Sequence, residues 1–205
     1  MTNYLISLDQ QIGEYNSLLI RDVKLNPHET GKVATTIWSE VAKNIDTIVS
    51  LYEDKVSIDN RLVQMHNFIA WNATFSQFIE TLPTDLRANV GATGLVVNIY
   101  YSFVYLKDSL FQILSKLSTQ TVSARCSNYL LAPNNKAIRN AFSHGNWIAP
   151  GNGILTYWAR EKWGDPSSLQ ERQMKEREFD FLLRLSRGVG VAAFDAMHLS
   201  ITKNV

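Results

Sequence analysis

Cysteine is nearly missing from this chain: Cys126 is the only one in 205 residues. That excludes an internal disulfide and a cysteine-rich zinc site. The histidines other than His144 (His28, His66 and His198) are too scattered to compose a metal site, so neither a metal nor another cofactor is expected. A charge excess is also missing. The formal net charge is +1, so any polyanion must be met by a local patch rather than by the global field. No Gly/Ser linker, low-complexity run or internal repeat divides the chain, and 45% hydrophobic content fills one ordinary core. One domain over residues 1–205 is the expectation, with two small ones as the alternative. The most apolar stretch, 94–106, carries Asn98 and Ser102 and is too short to span a bilayer. The opening Met1-Thr2-Asn3-Tyr4 lacks the basic and apolar regions of a signal peptide. These features predict a soluble, cytoplasmic protein without a membrane partner.

What is present is helical periodicity. Residues 3–22 read as a first helix, and Asn26-Pro27 marks a boundary with Pro27 suited to an early helical position. Val33, Ile37, Val41, Ile45, Ile48 and Tyr52 recur at steps of three or four, the stripe of an amphipathic helix. A third helix is expected from Ser57 or Asp59 to Thr81, ending before Pro83. A fourth, apolar on nearly all sides and therefore central, is expected from Gly91 to Leu117. Pro133 opens a short helix and Gly145 closes it. Trp147 to Trp158, around Pro150-Gly151-Asn152-Gly153, reads as a β-hairpin. Ser168-x-x-Glu171 reads as a capping box for a last helix carrying Phe179, Leu182, Leu183, Val189 and Met197. The alternating charges from Glu171 to Glu178 read as its exposed face. Gly188 and Gly190 would let another backbone approach closely. The predicted architecture is all-α: a bundle of five to six helices with a small β-hairpin inserted before the C-terminal helix.

Chemistry concentrates in the short helix. Lys136-Ala137-Ile138-Arg139-Asn140-Ala141-Phe142-Ser143-His144-Gly145 sets a permanent cation, an amide and an imidazole beside a helix-ending glycine. Asn140 and His144, four apart, share a helix face. Arg139 and His144, five apart, are about 140° out of phase and converge on one phosphate only if the helix ends near Ser143. A histidine at a helix C-terminus sits where the dipole favours positive charge, and imidazole exchanges protons near neutral pH. An arginine binds phosphate in a fork and stabilises growing charge. RNA brings its own nucleophile, the 2′-hydroxyl, so an arginine and a proton carrier suffice to cut it. Spacing alone is weak evidence, since chance supplies such a pair roughly 0.2 times in a chain of this composition. Arg61 and His66 repeat it inside a predicted helix, without the polar residue or the glycine. Structural readings also exist: Arg139 bridging helices, His144 hydrogen-bonding at a helix end, Ser143 as a helix-end residue.

The run Arg139-Asn140-Ala141-Phe142-Ser143-His144-Gly145 resembles the signature of the HEPN superfamily: an arginine, a polar residue, a short spacer and a histidine. The likeness extends over roughly residues 90–200 in the order of elements: apolar helix, motif helix, hairpin and final amphipathic helix. The resemblance implies a metal-independent endoribonuclease acting as a homodimer, of the kind found among toxins and phage-defence effectors. Arg139 and His144 are then the catalytic pair, Asn140 supports them, and an antitoxin or regulatory protein is a possible partner. It equally admits a catalytically silent module that binds RNA, a nucleotide or a protein. Lys136, Arg160 and Lys162 flank the motif and are the candidates for following an RNA backbone. Trp147, Trp158 and Trp163 are candidates for base stacking, although packing a hairpin onto a bundle is the commoner use of such residues.

Overall fold

The computed structural model describes residues 3–51, 108–148, 152–160 and 164–202, together with 60, 63, 64, 67, 70, 71, 74, 75, 77–87, 90 and 94. The described part is mostly helical, with one small antiparallel sheet. Its elements are α1 (Asn3–Gly13), α2 (Asn16–Arg21), α3 (Val33–Lys43), α4 (Ile45–Leu51), α5 (Asp108–Ser115), α6 (Val122–Leu131) and α7 (Pro133–Ser143), then β1 (Trp147–Ile148), β2 (Ile154–Arg160), β3 (Leu169–Lys175) and α8 (Glu176–Thr202). No helix among the described residues is long and apolar enough to cross a membrane.

The long C-terminal helix α8 packs chiefly on α3 and also on α1 and α6. One hydrophobic cluster joins Leu5, Ile12 and Leu19 near the start of the chain to Phe181, Phe194 and Met197 near its end. At Gly188 a Cβ would lie 2.3 Å from the Cδ1 of Ile12, so the missing side chain makes room for that isoleucine. At Gly188 the close approach is therefore by a side chain and not by the backbone expected. The stripe of the second predicted helix is buried at Val33, Ile37, Val41 and Ile48. Tyr52 lies outside the described residues.

Several boundaries differ from expectation, each for a local reason. The single helix over 3–22 is two: at Tyr15 the N–H donates to the Ile12 carbonyl, a tighter turn that ends α1, and α2 restarts at Asn16. The second helix breaks at Asn44, whose side-chain amide donates back to the Glu40 carbonyl at 2.8 Å. Pro27 lies in a turn before α3 rather than in a helix. The third helix ends at Thr81, as read. Most of the fourth lies outside the described residues, and its final part is α5.

Two helices begin on carboxylates from a neighbouring helix. Asp9 of α1 accepts the Ala34 N–H at 2.6 Å and the Thr35 N–H at 3.3 Å. Glu40 of α3 accepts the N–H groups of Val122 and Ser123, at 2.9 and 2.8 Å. Each satisfies N–H groups that a helix start leaves unpaired and places negative charge at the positive end of the dipole.

The expected hairpin forms, β1 pairing antiparallel with β2, and β3 extends it to a three-stranded antiparallel sheet in the order β1-β2-β3. The capping box at Ser168 and Glu171 does not form, because Leu169–Lys175 is strand. Trp158 stands opposite Glu171 and Thr156 opposite Gln173. Alternating charges suit an exposed helix face or an exposed sheet edge equally well, and β2 has an open edge to pair. Along β3 only Arg172 and Met174 are half-buried, the period of a strand. A turn at 164–168 reverses the chain. There Gly164 has φ +84° and Asp165 accepts the Ser167 N–H at 2.9 Å. The C-terminal helix starts at Glu176, with Glu176 and Glu178 in its first turn.

Candidate functional site

The motif helix α7 runs from Pro133 to Ser143, with His144 as its C-cap. Gly145 follows with φ +69°, the left-handed conformation that ends helices. The Gly145 N–H donates to the Phe142 carbonyl at 3.2 Å and the Asn146 N–H to the Ala141 carbonyl at 2.9 Å. This pair of bonds is a Schellman closure, and it fixes the direction in which the chain leaves. The Asn146 carbonyl then accepts the Trp158 N–H at 2.9 Å, tying the helix end to β2. Beneath the tip, the Phe142 ring is stacked between Trp147, at 4.7 Å, and Phe179, at 4.4 Å. His144 thus stands exposed on a tip held by backbone bonds and three stacked rings.

Beside the tip lies an open groove of about 410 Å³ between α7 and the end of β2. Asn140 and His144 line it from the helix, Asn146 from the closure, Trp158 and Arg160 from the strand, and Leu169 from the edge of β3. The shared face expected for Asn140 and His144 is realised here. Arg160 joins them from 16 to 20 residues further along the chain, brought in by the sheet. Arg139 is half-buried and is not among the described residues that line the groove. The helix stays regular through Ser143, so the angular offset between Arg139 and His144 persists. Lys136 is exposed on α7 and also does not line the groove. Lys162 lies outside the described residues. Ser143 donates its hydroxyl to the Arg139 carbonyl at 2.8 Å, a helix-end role.

The three tryptophans separate. Trp147 is part of the stack under the tip, Trp158 lines the groove, and Trp163 lies outside the described residues. Sequence reasoning did not single out Asn146 or Leu169 for this groove. Asn146 follows a helix-ending glycine, and its position beside the tip is the available signal. Leu169 reaches the groove only through the register that sets it opposite Arg160. Cys126 is fully buried, and burial pushes its thiol well above the usual range. Among the described residues no group of three or more His, Cys, Asp or Glu side chains is placed to hold a metal ion. The chain matches no family model, no curated protein and no solved structure.

Proposed function

We propose that the chain is a metal-independent endoribonuclease of the HEPN type, active as a homodimer in the manner of a toxin or phage-defence effector. The observation that supports this reading is that the exposed imidazole of His144, the amide of Asn140 and the guanidinium of Arg160 share one groove at a helix tip. In the proposed reaction one His144 takes the proton of the RNA 2′-hydroxyl, and the 2′-oxygen bonds to phosphorus. The bond from phosphorus to the 5′-oxygen breaks, and an imidazolium protonates the leaving oxygen. The products are a 2′,3′-cyclic phosphate and a 5′-hydroxyl, with no net gain or loss of protons. One chain supplies one such histidine, so a two-fold dimer supplies both the base and the acid. Guanidinium groups stabilise the pentavalent phosphorus. In this reading Arg139 reaches the phosphate at the dimer cleft, while Arg160, Lys136 and Lys162 follow the backbone. RNA and a second copy of the chain are the partners, with an antitoxin or regulator as a further one.

The exclusion of Arg139 from its own protomer's groove favours a second reading, a catalytically silent module that binds RNA, a nucleotide or a protein. Expression of wild type beside His144→Ala separates the two. The ribonuclease reading predicts growth arrest and fragmented RNA with wild type, both lost in the variant at unchanged melting temperature. Equal toxicity from both proteins contradicts the mechanism, and intact RNA with both leaves the silent module.

A further inference from the structure

We propose that Trp158 and Arg160 form a nucleobase subsite beside His144, one that selects single-stranded RNA. This deepens the ribonuclease reading and rests on it for the reaction, whereas the binding stands by itself. The two tryptophans of the described sheet differ in what their rings do. Trp147 is committed to the stack with Phe142. Trp158 is half-buried in the groove wall, and among the described residues no aromatic ring pairs with it. Its backbone is fixed on both sides: its N–H donates to Asn146 at 2.9 Å, and Glu171 stands opposite it in the ladder. A ring on such a strand is a preorganised platform and loses little freedom on binding.

Arg160 follows two residues later, on the same strand face and about 7 Å along it, a distance one nucleotide spans. Its side chain is exposed. Asp165, a carboxylate that feels its charge, is held in its own turn by the Ser167 N–H and hydroxyl, at 2.9 and 2.5 Å. No carboxylate is among the described residues lining the groove, while Asn140 and Asn146 offer amides and Leu169 an apolar lip. A π-face, a cation and hydrogen-bonding amides in one groove complement an unpaired base with its phosphate. A base inside a duplex keeps its faces stacked on its neighbours and cannot offer one to Trp158.

The test is a fluorescence-polarisation titration of the full chain with a short oligoribonucleotide, 2′-O-methylated at every residue so that it cannot be cut, as single strand and as duplex. Trp158→Ala is expected to weaken single-strand binding about ten- to hundredfold. Trp158→Phe, which keeps a π-face, should stay close to wild type. Arg160→Ala should weaken binding and flatten its salt dependence, and it tests the groove even if Trp158→Ala fails to fold. Duplex should bind wild type more weakly, and equally well with Trp158→Ala. Single-strand affinity unchanged in a folded Trp158→Ala, equal affinity of wild type for duplex and single strand, or no binding of either strand overturns the subsite. Wild type that binds the blocked strand but leaves unmodified RNA whole sinks the ribonuclease reading and keeps the subsite. Cleavage and binding that both survive loss of Trp158 do the reverse.

Discussion

A φ of +69° at Gly145 is a conformation that a Cβ resists, and the imidazole of the site is the residue before it. Replacing this glycine by alanine is expected to cost about 1 kcal/mol in a urea melt. The same change should lower any activity of His144 by more than that loss of fold explains, because the Schellman closure also sets where the tip points. A Gly145→Ala protein with wild-type stability would remove that role from the glycine. At this scale the sequence was informative wherever geometry follows from spacing. Asn140 and His144, four apart, do share a face and a groove. Arg139 depends on whether the helix unwinds before His144, and spacing does not determine that. Trp158 and Arg160 meet the helix only through strand pairing, so the sequence alone could not distinguish Trp158 from Trp147.

Helix starts and strand edges are set by partners distant in the chain. The stripe over Val33 to Ile48 was legible because each residue faces the same core, and the proline and glycine ends of α7 were legible because capping is local. Helix α6 has no counterpart among the helices expected from the sequence, although Val122, Cys126 and Leu130 repeat at steps of four and Thr121 caps it. Its second cap comes from Glu40, 82 residues away. The charged strand β3 reads as a helix face until β2 is known to lie beside it. Arg125 shows the same long reach: it pairs with Glu29 and donates to the Lys24 carbonyl at 2.9 Å, holding α6 to the turn before α3. Burial alone would raise the Glu29 carboxyl, but the Arg125 and Asn26 hydrogen bonds outweigh it and lower the pKa below its ordinary 4.5. The unfolded chain therefore takes up this proton first as pH falls. The stabilisation is complete above about 4.5 and is lost as pH drops through the folded value. Glu29→Gln should cost about 1 kcal/mol at neutral pH and shallow the acid limb of a stability–pH curve. An acid limb unchanged by the substitution would show that the pair contributes nothing.

For the whole molecule, the first fifty residues share their hydrophobic cluster with the C-terminal helix, so the groove is carried by a core drawn from both ends of the chain. That core holds the tip, and the tip holds the imidazole. In the proposed reaction this imidazole moves the proton when RNA is cut. Purified wild type and His144→Ala, each incubated with single-stranded RNA in the presence of a chelator, test it through the ends of the products. Wild type is expected to leave 2′,3′-cyclic phosphate and 5′-hydroxyl ends and the variant to give no products, at equal melting temperature. Products from the variant at the wild-type rate, or ends bearing a 5′-phosphate, would contradict it.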